Sequence, residues 1–460
     1  QANGQTETPT MVAGLTDFEI VNLVHTNAAN PNGAMAFTAN NTANLVVNGL
    51  HAGDTYFITL GNGGQTANGN AQGDTLTGGS GNDILNGNGG SDLIVAGSGA
   101  DEANGGAGAD TIRFAIGQLD GLDVVNGGSE VDTLALTGAG TVDFTTFSTV
   151  ASIEAITLDD NAHSIKIGSA LVGSAEGRTL TLTGGGGIDA IDVSDVGGNL
   201  FSPQSMTINT GVGADVLTID RWRVGATISG NLGADSDTIN VTAMAMLSIG
   251  ALSGGGGNDT LNIDFSDDPH PASLAGITSV ETVNLSSSTA SAEPIDIYMH
   301  DGTGVVVNVT DANALFSIRL GSGGQIANGN ALGDILLDGA NNDTLRGNDG
   351  NDVIVSGEGR DTIGGGANND SIVYDGRDFT IDGGAGNGDT LYVPEFGPVA
   401  AATLFDLAAT DQTAGDQANV TGFENLSLTQ LTADGITYGT VRTTGAEVRG
   451  TTGTNRITGG

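Results

Sequence analysis

Aspartate returns at a fixed interval of nine residues over 74–114, at Asp74, Asp83, Asp92, Asp101 and Asp110. Two positions after each stands Leu76, Leu85, Ile94, Ala103 or Ile112, a single small residue among large aliphatics. The pattern recurs without gaps 260 residues later, over 334–374: Asp334, Asp343, Asp352, Asp361 and Asp370 precede Leu336, Leu345, Ile354, Ile363 and Ile372. The flanks repeat as well, LGNGGQTANGN at 60–70 against LGSGGQIANGN at 320–330. A short fixed period means stacked copies of one unit, none able to bury its apolar face alone. That restricts the chain to a solenoid or array.

Between the blocks the signature appears singly, at Asp189, Asp215, Asp237 and Asp259, with intervals of 26, 22 and 22 residues, one coil per copy; Asp132 and Asp389 sit in similar single copies. A second element, apolar-Glu-x-apolar-x-Leu, occurs as FEIVNL, IEAITL, VETVNL and FENLSL, carrying Glu19, Glu154, Glu281 and Glu424. Its glutamate is read as a structural residue that pairs or caps at a fixed place, in preference to a subunit contact. Alternating runs such as RTLTLTG and DTINVT, closed by Gly, Asn or Asp, predict short strands with turns. The best helix candidate is 402–411. Residues 450–460 resemble the start of a further array with Asn455 at the aspartate position, which predicts that the natural polypeptide continues past Gly460.

Composition narrows the chemistry. Twelve Lys+Arg against 54 Asp+Glu give a net charge of −42. Such a surface repels nucleic acid and anionic membranes. With no cysteine, thiol catalysis, disulfides and thiolate metal sites are excluded. No apolar run is long enough for a transmembrane helix. Disorder is disfavoured, because only 14% of residues are charged and 38% are hydrophobic. Carboxylates this dense call for a neutralising cation. The 77 glycines supply the left-handed turn conformations, with Asn341 and Asn368 standing in for glycine before an aspartate.

The arrays match G-G-x-G-x-D-x-U-x, and over 60–136 and 321–393 the chain resembles the RTX (repeats-in-toxin) family of calcium-binding β-rolls. The fold class expected is all-β, a right-handed parallel β-solenoid with β-roll segments. Each nonapeptide is half a coil, so aspartates 18 residues apart stack: Asp74 on Asp92, Asp83 on Asp101, Asp92 on Asp110, and Asp334 on Asp352, Asp343 on Asp361, Asp352 on Asp370. Stacked carboxylates about 5 Å apart repel unless a hard cation lies between them, and Ca²⁺ suits a flexible all-oxygen cage. The candidate metal ligands are therefore Asp74, Asp83, Asp92, Asp101, Asp110, Asp132, Asp215, Asp237, Asp259, Asp334, Asp343, Asp352, Asp361, Asp370 and Asp389. Whether the single copies bind an ion stays open.

The expected segments are 1–59 solenoid, 60–136 first array, 137–320 solenoid with single turns, 321–395 second array, and 396–460 solenoid leading to a third array. No zinc-protease or nucleophile-elbow motif is present, and His25, His51, His163, His270 and His300 share no common motif, so no catalytic residue is assigned and the chain is read as a non-enzyme. Overall make-up is similar to bacterial surface-layer proteins exported by type I secretion. That resemblance implies an extracellular structural protein, ordered by calcium outside the cell, that self-assembles as a homo-oligomeric lattice or filament, with cell-surface polysaccharide a possible partner. A secreted adhesin, a matrix filament, or the repeat region of a larger secreted enzyme are the alternatives.

Overall fold

The computed structural model describes residues 19–24, 33–197, 203–220, 226–266, 271–374 apart from 292 and 312, 377–392, and shorter stretches between 404 and 458. The chain falls into two compact units, 1–237 and 238–460.

In the first unit consecutive strands alternate between parallel sheets. Val46–Gly49, Thr66–Asn68, Ile84–Gly89 and Glu102–Ala107 are successive neighbours in one sheet. Thr55–Thr59, Thr75–Thr77, Leu93–Val95, Thr111–Ala115 and Thr133–Thr137 are neighbours in another. The period-two alternation that defines a half-buried strand appears in the register. Ile58, Leu76, Ile94, Ile112, Leu134, Ile156, Leu182 and Ile208 form one inward column, each at most 1% exposed. A fully buried aliphatic contributes about 1.5–3 kcal/mol, so the column is a continuous source of stability.

The second unit repeats the plan. Thr344–Asp349, Thr362–Ala367 and Thr380–Ala385 pair in parallel, as do Ile335–Leu337, Val353–Val355, Ser371–Val373 and Thr390–Tyr392. All ten aliphatic or alanine positions two after the array aspartates are buried, Ala103 included. The β-solenoid expected from the repeats is thus the observed fold. The turns have the expected backbone: Gly106 sits at φ 114°, and Asn341 and Asn368 at φ 79° and 83°, conformations that asparagine tolerates better than most residues.

Asparagines stack along the outside of the sheets. In the first unit Asn48, Asn68, Asn86 and Asn104 each donate a side-chain N–H to the amide oxygen of the asparagine one coil back, from Asn22 onward, at 2.7–2.9 Å. In the second, Asn262, Asn284, Asn308 and Asn328 do the same from Asn240 at 2.8–3.2 Å. Such ladders add hydrogen bonds of about 0.5–1.5 kcal/mol each.

The helix expected at 402–411 is not formed: Leu404–Asp406 is a strand, paired with Thr413–Ala414 and Glu447–Arg449. Strand pairing satisfies the backbone there without the caps a short helix needs. A helix is found instead at Ser169–Ser174, with Leu171 and Val172 buried. Asn455 lies outside the described residues.

Candidate metal centre

Each array aspartate is the first residue before its strand, and the stacking of coils places it over its counterpart. The backbone N–H of Asp74 donates to Oδ1 of Asp92 at 2.6 Å, that of Asp83 to Asp101 at 2.8 Å, and that of Asp92 to Asp110 at 2.7 Å. In the second array Asp334 donates to Asp352 at 2.7 Å, Asp343 to Asp361 at 2.8 Å, and Asp352 to Asp370 at 2.9 Å. The six pairs expected from the 18-residue spacing are therefore brought together. The single copies join the same scheme. Asp110 donates to Asp132 and Asp370 to Asp389, both at 2.8 Å, and Asp189 donates to Asp215 and Asp215 to Asp237, at 2.7 and 2.8 Å. Asp259 is buried at the corresponding place in the second unit.

One oxygen of each carboxylate is thus engaged. The other, Oδ2, is buried with no hydrogen-bond partner in Asp92, Asp101, Asp110, Asp132, Asp189, Asp215, Asp343, Asp352, Asp361, Asp370 and Asp389. A buried carboxylate oxygen without a donor is costly. The first glycine of a turn shows what surrounds it. A Cβ on Gly87 would meet Oδ2 of Asp92 and the carbonyl of Gly105, and one on Gly347 would meet Oδ2 of Asp352 and the carbonyl of Gly365. The space is an oxygen-lined cradle kept open by the missing side chain, and its donor set fits Ca²⁺, which takes roughly six to eight oxygens in adaptable geometry.

Burial pushes Asp92, Asp101, Asp132 and Asp361 up to about 7, Asp352 to about 8, and Asp334 and Asp389 to about 6. Neighbouring carboxylates add to the rise for all of these except Asp334. Without a cation these buried acids hold their protons to higher pH than free carboxyl groups do.

The ends of the ladders are chemically distinct. At the start of each array an amide occupies the turn. Gln65 Nε2 donates to the carbonyls of Asn40 and Thr42 at 2.8 and 2.6 Å, and Gln325 Nε2 to those of His300 and Gly302 at 2.9 and 2.7 Å. Asn70 and Asn330 do likewise one half-coil later, toward His51 and Asp54 and toward Asp311 and Ala314. A side-chain NH₂ thus takes the place of a cation among turn carbonyls. His163 precedes Asp189 and meets carboxylates instead of carbonyls, its Nδ1 2.9 Å from Asp189 Oδ1 and its Nε2 3.2 Å from Asp159 Oδ1.

At the other end stands the repeated glutamate. Asp132, Asp259 and Asp389 donate their N–H groups to Oε2 of Glu154, Glu281 and Glu424 at 2.9, 2.8 and 3.1 Å. The N–H of each glutamate turns back to the carbonyl of that same aspartate, so the ladder stops. Two residues earlier Ser152, Ser279 and Gly422 all have positive φ. The glutamates are caps, as the sequence suggested, except that Glu19 is exposed. Replacing Glu154 by Ala leaves the Asp132 N–H without its acceptor. The expected outcome is a loss of about 1–3 kcal/mol, read as a lower thermal midpoint with unchanged oligomeric state by light scattering.

Several site residues escape the nine-residue register. Asp123 accepts the Asp101 N–H at 2.8 Å, Asp378 is fully buried next to Asp361, and Asp338 lies against Asp343 and Asp361. Among the histidines, His51 is 3.4 Å from Asp54 and His300 accepts the Gly302 N–H through Nδ1 at 2.8 Å; His25 and His270 lie outside the described residues. Among the described residues no helix is long and apolar enough to cross a membrane.

The family model of the RTX calcium-binding nonapeptide repeat matches four times, over residues 60–94, 86–118, 328–363 and 337–372. No curated protein and no solved structure matches the chain. The matched segments coincide with the aspartate ladders, and such repeats bind Ca²⁺ at multiple sites. Over these segments the chain carries RTX calcium-binding nonapeptide repeats, set in a β-solenoid as a β-roll requires.

Proposed function

We propose that the protein is an extracellular structural protein, folded by calcium, that self-assembles at the bacterial cell surface in the manner of a surface layer. The observation that carries this reading is the pair of capped ladders with orphaned Oδ2 atoms. A fold whose interior carries unneutralised carboxylates is suited to a compartment with abundant calcium, where millimolar-range sites fill. The fifteen aspartates named from the sequence are the proposed ligands, the single copies included, with Asp189 and Asp123 added from the geometry. Binding free energy then becomes folding free energy. Where calcium is scarce, repulsion and glycine entropy keep the chain unfolded, as export through a narrow channel by type I secretion requires. Two arrays in one chain support a stiffening role over a catalytic one, and no catalytic residue is proposed.

Electron microscopy of purified protein with millimolar Ca²⁺ and with chelator tests this. A two-dimensional lattice that forms with calcium and dissolves without it is the expected result. One-dimensional fibres would assign the chain to a matrix filament instead, and monodisperse rods to an adhesin stalk or to the repeat region of a larger secreted protein.

A further inference from the structure

Five residues before its aspartate, a nonapeptide turn of the arrays begins with glycine at Gly69, Gly78, Gly87 and Gly105, and at Gly329, Gly347 and Gly365. Three turns depart from this: Ala96 opens the one ending in Asp101, Ser356 the one ending in Asp361, and the turn ending in Asp343 departs by a charge. Its first residue is Asp338, where the first array has Gly78. A carboxylate therefore enters the cradle that glycine otherwise leaves open. One oxygen each from Asp338, Asp343 and Asp361 lie within 4.8 Å of one another. Asp343 and Asp361 are 2% and 0% exposed, and their Oδ2 atoms meet no N–H donor, only neighbouring carboxyl groups. Asp338 is held in place by two backbone groups: the Gly339 N–H donates to its Oδ1 at 2.7 Å and the Gly357 N–H to its Oδ2 at 3.1 Å. Each of its oxygens keeps a further lone pair for a ligand.

We propose that Asp338, Asp343 and Asp361 form a three-carboxylate cation site, peculiar to the second array, that takes Ca²⁺ more tightly than the turns that begin with glycine. Affinity in oxygen cages rises with the number of charged ligands and with their rigidity, and this site has an extra carboxylate already fixed by the backbone. In a glycine-first turn that position offers no side-chain oxygen. The site makes the second array the first to load as calcium rises, so the two near-identical arrays respond at different concentrations. This inference rests on the calcium reading of the repeats and extends it to an order of filling.

The test is a competition titration of the full chain with Ca²⁺ against a chromophoric chelator, which counts ions directly. Three proteins are compared: wild type, Asp338→Asn, and Asp338→Gly, the last installing the residue found at the same place in the first array. Wild type is expected to show one ion bound about tenfold more tightly than the remainder. Both variants are expected to lose that class while the weaker classes keep their number and affinity. A wild type without a tighter class overturns the proposal, and so does an Asp338→Asn protein that keeps it, since asparagine preserves shape and loses the charge. Ordinary binding at the remaining turns in either of those cases leaves the calcium reading intact; a wild-type chain that binds no calcium overturns that reading itself.

Discussion

Removing calcium with a chelator at pH 8 is expected to abolish most of the β signal in circular dichroism, and acidifying the same calcium-free sample to pH 5 is expected to restore part of it. The sign follows from the buried acids. Their folded-state values, about 6 to 8 for Asp334, Asp389, Asp92, Asp101, Asp132, Asp361 and Asp352, lie above an unfolded value of about 3.9. Between those limits the calcium-free folded state binds more protons than the unfolded chain. The stability of the calcium-free fold therefore falls as pH rises from about 4 to about 8. Calcium reverses the demand, because it needs the carboxylates ionised. The affinity of the folded sites for calcium should accordingly fall as pH is lowered from 8 to 5, because protons compete for the same oxygens, while the calcium needed to reach the folding midpoint falls too, because the protonated fold is itself more stable. A chelated protein with the same spectrum at both pH values would remove the buried carboxylates as the cause.

Within one ladder the positions are unequal, and Asp352→Ala is expected to weaken calcium-induced folding more than Asp334→Ala. Asp334 opens its ladder. Its Oδ1 accepts the Phe316 N–H and its Oδ2 the Asn330 N–H, both at 2.8 Å. Backbone donors already satisfy it. Asp352 lies in the interior, accepts the Asp334 N–H through Oδ1, donates its own N–H to Asp370, and keeps a buried, partnerless Oδ2. It belongs to two stacked pairs and is the most strongly raised acid of the array, at about 8. Removing it deprives two neighbouring cradles of an oxygen, and the calcium midpoint should rise several-fold more than for Asp334→Ala. The measurement is a calcium titration followed by circular dichroism, and equal midpoints for the two variants would refute the stacking scheme.

Much of this architecture was legible because one coil equals two repeats: a period of nine in Asp and aliphatic positions dictates which carboxylates stack and which side chains point inward. The reading failed where the coil length changes. Asp123 lies 22 residues after Asp101, so that ladder continues through a wider coil that a nine-residue register does not extend to; Asp132, 22 residues after Asp110, reads from the sequence as a single copy without its partner. The same interval of 22 separates Asp132 from Glu154 and Asp259 from Glu281; the repeated motif marks the glutamates as pairing or capping residues, and the aspartate each one caps becomes visible only in the coil stacking. Gln65 and Gln325 were visible as repeated flanks, but an amide acting where an ion acts elsewhere is a matter of which carbonyls it reaches. Strand alternation also misleads at Leu337, Val355 and Val373, which occupy outward positions and are nevertheless 2–4% exposed. Alternation assigns a side chain to a face and says nothing about whether that face is covered. The helix expected at 402–411 failed for a related reason, since a local pattern cannot register the distant strand Glu447–Arg449 that pairs with it.

The amide-filled turns at one end of each array and the glutamate caps at the other have a mechanical meaning. They set the length of each array as an ion-dependent block, bounded at either end by a coil whose turn is held by covalently attached groups. An 18-residue coil advances the stack by one strand spacing, about 4.8 Å, whereas the same 18 residues pulled straight reach about 60 Å. Loss of calcium therefore turns each coil of the block into slack about twelve times its folded rise. A chain anchored at both ends would lengthen under load at the arrays first, with the calcium concentration setting the force at which it yields.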